Sequence, residues 1–114
     1  MNDCLFCKIA AGEIPSTKVY EDETTLAFRD IAPQAPVHVL VIPKKHVSGW
    51  YDAQNESDAT LAHLMRVAAQ VAKSEGIVES GFRVVSNCGD DAQQTFKHLH
   101  LHVLGGRKME GQMA

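Results

Sequence analysis

Three of the six histidines in the 114-residue chain fall within five positions, as His98, His100 and His102, separated by Leu99 and Leu101. In a strand, alternate residues share one face and repeat about every 6.6 Å, so the three imidazoles would line one surface while Leu99, Leu101 and Val103 turn to the other. Imidazole titrates nearest neutrality, which suits it to proton transfer, metal ligation and nucleophilic attack. Three readings compete. A merely solvated strand face is better served by Lys, Thr or Glu. A catalytic metal site can use His-x-His as a ligand pair, but no Asp or Glu lies on this strand, and a third ligand would have to come from His38 or Asp30. In the third reading one neutral imidazole attacks phosphorus, while its neighbours fix its tautomer and stabilise charge.

The segment before the histidines bears on this choice. Asn87-Cys88-Gly89-Asp90-Asp91-Ala92-Gln93-Gln94-Thr95 carries a glycine, amide side chains and a hydroxyl, the donors that an anion site beside a nucleophile requires. Turns are commonly rich in these residues, so the loop gains meaning only from the triad that follows it. A second cluster, Cys4-Leu5-Phe6-Cys7, reads as a redox dithiol, half of a zinc site, or two small buried residues. No thioredoxin-like βαβ pattern follows it. A zinc site needs two more ligands, and His46 is one candidate. His63 reads as a helix-face residue and Cys88 as a loop thiol.

The elements that must position these groups follow from periodicity. Phe6, Ile9 and Ala10 at helical spacing, ended by Gly12 and Pro15, predict a short helix over 5–11. Strands are predicted over 18–21, 25–30 and 37–42, the first two as a hairpin, with a rigid turn at Pro33 and Pro36 before the third. The third is apolar on both faces apart from His38, the pattern of a central strand. Residues 57–75 place Leu61, Leu64, Met65, Ala68, Val71 and Ala72 on one stripe, with Gly76 as the stop, and predict the one long helix. Strands over 82–87 and 98–104 complete the set. The expectation is an α+β fold: a five-stranded, mainly antiparallel sheet with one long and one short helix.

A hydrophobic fraction of 45% over 114 residues fills one core, so one domain over 1–114 is expected. The net charge of -3 and the lack of a basic run disfavour a nucleic-acid partner. No stretch approaches the roughly 20 apolar residues of a membrane span and the start is too polar for a signal peptide, so a cytoplasmic location and no membrane partner are expected. The odd number of cysteines argues against a secreted disulfide framework.

The segment from Gln94 through His98, His100 and His102 to Gly105-Gly106-Arg107 resembles the histidine triad motif in its Hint form. Ile14-Pro15, Tyr20-Glu21-Asp22, Ala27-Phe28-Arg29-Asp30-Ile31, Pro33-Gln34-Ala35-Pro36 and His38 through Val41-Ile42-Pro43-Lys44-Lys45-His46 resemble the same branch in order and spacing. The resemblance implies a homodimer with one continuous sheet and hydrolysis of purine nucleoside phosphoramidates, with no cofactor needed for the chemistry. It implies attack on phosphorus by His100, forming a nucleotidyl-histidine. His98 and His38 would orient that residue, and His102 would contact the phosphate and leaving group. It places Asp30 at the ribose, Phe6, Ile9, Phe28 and Ile31 around the base, and Asn87, Gln93, Gln94 and Thr95 at the phosphate, with Thr95 also in the catalytic set. Relatives with this CxxC pair it with His46 and His98, implying a structural zinc. Two departures stand out: Gln93 occupies a position where the family has Gly, which can force an unfavourable φ, and Thr95 replaces Ser. Alternatives are a dinucleoside polyphosphate hydrolase or nucleotidyl transferase of the same superfamily, and a nucleotide-binding interaction module.

Overall fold

Ser57 begins the long helix by accepting the Thr60 amide on its Oγ at 3.1 Å, which satisfies one of the amides a helix start leaves open. The computed structural model describes residues 3–112. Its helices are α1 (Leu5–Ala10) and α2 (Asp58–Ser74), with a single 3-10 turn at Asp52–Asn55 between them. Its strands are β1 (Lys18–Glu21), β2 (Thr25–Arg29), β3 (Val37–Pro43), β4 (Phe82–Val85) and β5 (Leu101–Gly105). They form one sheet in the order β1-β2-β3-β5-β4, every pair antiparallel. The β1–β2 turn is held by Asp22, whose Oδ1 accepts the amides of Thr24 and Thr25 at 2.9 Å each, an Asx-type turn. His63 on α2 reaches the other oxygen of Asp22 at 2.7 Å, so this histidine ties the helix to the hairpin.

Strand alternation divides the core in two. Ala27, Val39, Val41 and Val103 face α2 and pack with Leu64, Val67, Ala68, Val71 and Ala72. Leu26, Phe28, Leu40 and Ile42 face the opposite way and pack with Phe6 and Ile9 of α1. Each fully buried aliphatic side chain contributes about 1.5–3 kcal/mol, enough to hold the six-residue α1, which is too short to be stable alone. Two positions of the expected α2 stripe differ: Leu61 and Met65 are 37% and 76% exposed, and Val67 is buried in their place. With Trp50, Phe82 and Val84 they border an apolar groove of about 620 Å³ between α2 and the sheet edge at β4.

The last strand also differs, starting at Leu101 rather than His98. In the β3–β5 register Val41 pairs with Leu101 and Val39 with Val103, so the next partner along, opposite Leu99, would be Pro43. Proline has no N–H to donate and cannot extend the ladder there. The Leu99 amide bonds Val47 O instead, and Ser86 Oγ donates to His100 O at 3.0 Å where β4 would have continued. Leu99 still joins Leu101 and Val103 on the α2 side.

Candidate functional site

Because the chain leaves the sheet before Leu101, the three imidazoles do not form one row. His98 is fully buried. Its Nε2 lies 2.8 Å from Pro43 O, and since a carbonyl only accepts, Nε2 carries the proton. The unprotonated Nδ1 then faces Cys4 Sγ at 3.2 Å and Cys7 Sγ at 3.4 Å. His46 Nδ1 lies 3.3 Å from Cys7 Sγ. The four ligand atoms of Cys4, Cys7, His46 and His98 lie within 4.8 Å of one another. A tetrahedral Cys₂His₂ zinc site spaces sulfur and nitrogen by about 3.5 Å, so the donor set and its separations fit that ion. The His98–Pro43 bond is the kind of outer contact that orients a ligating imidazole.

His100 is buried beside Phe6, their ring centroids 5.1 Å apart and nearly perpendicular. Its Nδ1 lies 2.7 Å from its neighbour's carbonyl, His98 O, and must donate there. The Nε2 lone pair is left for the cavity that His100 lines. The tautomers of His38 and His102 follow by the same reasoning. Gln34 N donates to His38 Nδ1 at 3.0 Å, so the neutral ring holds its proton on Nε2. That proton goes to His102 Nδ1, 2.8 Å away, leaving Nε2–H of His102 as a donor. Burial lowers the pKa of both rings: His102 falls to about 4, with His100 and His38 adding to the effect and Asp30 opposing it, and His38 is lowered against the pull of Asp30. Both are neutral at pH 7. Burial likewise lowers His98, the Pro43 bond opposing it.

The cavity beside His100 measures about 230 Å³. Its apolar walls come from Phe6 and Ile9 on α1, Phe28 on β2 and Leu40 on β3, with the wholly exposed Ile31 at its lip. Asp30 lines it just past β2; one carboxylate oxygen accepts the Ala32 amide at 2.8 Å, and the other lies 3.4 Å from His38 Nε2. Asn87, Gln93 and Thr95 line it from the loop. His38 lines a neighbouring cavity rather than this one. Gln94 lines neither, because its amide is consumed by the fold: Oε1 accepts Gly89 N at 2.9 Å, and Nε2 donates to Ser48 O and Phe96 O at 2.8 and 3.0 Å. Gln93 holds a φ of 64°, so the loop keeps the left-handed turn that glycine favours despite the side chain.

Sequence reasoning missed Ser16, Leu40 and Phe96 in this wall. Phe96 stacks on Phe6 at 4.9 Å. The Ser16 hydroxyl is buried without a partner among the described residues. A serine beside Ile14-Pro15 carries no periodic signal that points inward.

Residues 11–109 match the HIT domain. The chain belongs to the HIT domain family. It is 49% identical over 109 residues to a 14 kDa zinc-binding protein of Brassica juncea, spanning 94% of this chain and 96% of that one. A histidine triad protein from Clostridium difficile matches its structure with a TM-score of 0.93 at 49% identity, over 99% of this chain and 98% of that one. A HIT family hydrolase from Clostridium thermocellum matches with a TM-score of 0.92 at 47% identity, over 100% and 99% of the two chains. This HIT protein thus has a hydrolase-like fold. No helix among its described residues is long and apolar enough to cross a membrane.

Proposed function

We propose that this HIT protein is a cytoplasmic hydrolase of the Hint type, cleaving purine nucleoside phosphoramidates through a nucleotidyl intermediate on His100. The observation that carries the reading is the bond from His100 Nδ1 to His98 O, which leaves an unprotonated Nε2 facing a cavity with an apolar end and a donor-rich end. The base packs among Phe6, Ile9, Phe28 and Ile31, Asp30 accepts from the ribose hydroxyls, and Asn87, Gln93 and Thr95 donate to the phosphate. Gln94 serves the phosphate indirectly, by bracing the loop. Nε2 of His100 forms a bond to phosphorus as the bond to the amine breaks. The departing nitrogen keeps the electron pair and takes a proton from water, while His102 Nε2–H donates a hydrogen bond to the reacting group. The resulting hydroxide displaces His100, releasing the nucleoside monophosphate and restoring the neutral imidazole. His38, held by Gln34 N, keeps His102 in the donating tautomer. No cofactor enters these steps. Comparing turnover of adenosine phosphoramidate with that of a diadenosine polyphosphate tests this: the first should be much the faster, and the reverse order would favour a polyphosphate hydrolase.

Cys4, Cys7, His46 and His98 hold a structural zinc in this reading, supported by their spacing and by the zinc-binding relative. When bound, the ion supplies folding energy. Purified protein should carry about one zinc per chain, and chelation should lower its melting temperature. The apolar groove beside β4 supports a homodimer. Its Leu61, Met65, Phe82 and Val84 adjoin the open edge of β4, so a second copy related by a two-fold axis covers both groove and edge and continues the sheet.

A further inference from the structure

A second cavity, of about 530 Å³, adjoins the nucleotide cavity at His102. His102, Asn87 and Gln93 line both, whereas His100 lines only the first. With the nucleoside in the first cavity, its phosphorus sits at these shared residues. Displacement sends the leaving group away from the attacking nitrogen, and the second cavity, which His100 does not line, offers it room beyond the shared residues. The first cavity alone, at about 230 Å³, is smaller than the roughly 300–1,000 Å³ usual for a small-molecule site, which fits a substrate that extends into the second.

The second cavity has a charge that the nucleotide does not use. Arg83 and Arg107 line it, against one acidic residue, Glu110. In the β4–β5 register Val85 opposes His102 and Arg83 opposes Leu104, so Arg83 shares the His102 face, one repeat of about 6.6 Å farther along. Both arginines are held by backbone carbonyls: Arg83 Nη2 donates to Glu110 O at 2.8 Å, and Arg107 to Lys108 O and Gln34 O at 3.2 Å each. Neither has a carboxylate partner within 4.0 Å among the described residues, which is true also of Lys8, Arg66, Lys73 and Lys108, but of these six only Arg83 and Arg107 line the cavity. Two positioned guanidinium groups whose charge no side chain balances are suited to a planar anion.

We propose that Arg83 and Arg107 form a leaving-group subsite that selects amines bearing a carboxylate. The inference rests on the phosphoramidase reading and deepens it. Two substrates of matched chain length test it: adenosine monophosphate linked through nitrogen to 3-aminopropanoate, and the same nucleotide linked to butylamine. The wild type should favour the carboxylate substrate by on the order of tenfold in kcat/KM, since a partly solvated Arg–carboxylate contact is screened, and the preference should shrink as salt rises. Arg83→Met with Arg107→Met should bring the ratio close to one, and Arg83→Lys should restore only part of it. The ratio within each variant is independent of how much of the preparation folds. Equal kcat/KM for the two substrates in the wild type, or a ratio unchanged in the double variant, overturns the subsite while leaving the hydrolase reading intact. Turnover of neither substrate removes the hydrolase reading and the subsite together.

Discussion

Replacing Gln93 by glycine should make the protein more stable. Gln93 sits at a φ of 64°, where a non-glycine residue costs about 1–2 kcal/mol relative to the right-handed region. Glycine removes that strain, and its freer unfolded chain takes back about 0.5–1 kcal/mol. The side chain is exposed, so little burial is lost, and the bond from Gln93 N to Asp90 O at 3.0 Å survives the change. The net gain should be about 0.5–1 kcal/mol, or a rise of roughly 2–4 °C in Tm. Urea unfolding measures it, with an unchanged m-value marking a true stability effect. Gln93→Ala is the control: it removes the side chain but keeps the strained backbone, and should gain nothing. A Gln93→Gly protein no more stable than wild type, or an alanine variant that gains as much, would refute the strain argument.

Asp30→Ala should raise KM far more than it lowers kcat and erase any preference for ribose over deoxyribose; an unchanged preference would put the sugar elsewhere. Met65→Glu places a charge in the groove beside β4 on a side chain already 76% exposed, so light scattering should give a folded monomer where the wild type is a dimer, and a dimer in both would move the interface. His38 and His102 have pKa values lowered on folding, His102 to about 4, so between about pH 6.5 and 4 the unfolded chain binds more protons than the folded one. The stability linked to His102 is therefore complete above about pH 6.5 and is lost as pH falls toward 4, by up to about 1.4 kcal/mol per pH unit, and His38 acts in the same direction. His102→Asn should flatten this slope, and an equal slope in that variant would assign it to other groups.

The sheet and both helices were legible because their residues repeat at 2.0 or 3.6 positions, and the ends missed by one to three residues are where pairing, not pattern, sets the limit. The start of β5 is the instructive case. Alternation of His98, Leu99 and His100 looks like a strand, yet the partner that would stop the ladder, Pro43, is known only from the register. This displaces His98 from the shared face into the cysteine cluster, a separation that spacing within the segment could not reveal. The same limit explains Gln94. An amide in a turn reads as a free donor, and only the positions of Gly89, Ser48 and Phe96 show it to be fully occupied. Leu61 and Met65 fit the apolar stripe of α2 but face a groove, because a hydrophobic pattern does not distinguish the side buried within a chain from the side available to a second one.

The phosphoramidase account depends on a covalent bond between His100 Nε2 and phosphorus. Rapid quenching of the enzyme with a radiolabelled adenosine phosphoramidate tests it most directly. The account predicts label on His100 as an acid-labile, base-stable adduct that forms and decays within turnover, and none in His100→Ala, which should lose several orders of magnitude in kcat while still binding nucleotide. Near-normal turnover by His100→Ala, with no adduct at any time in the wild type, would contradict it.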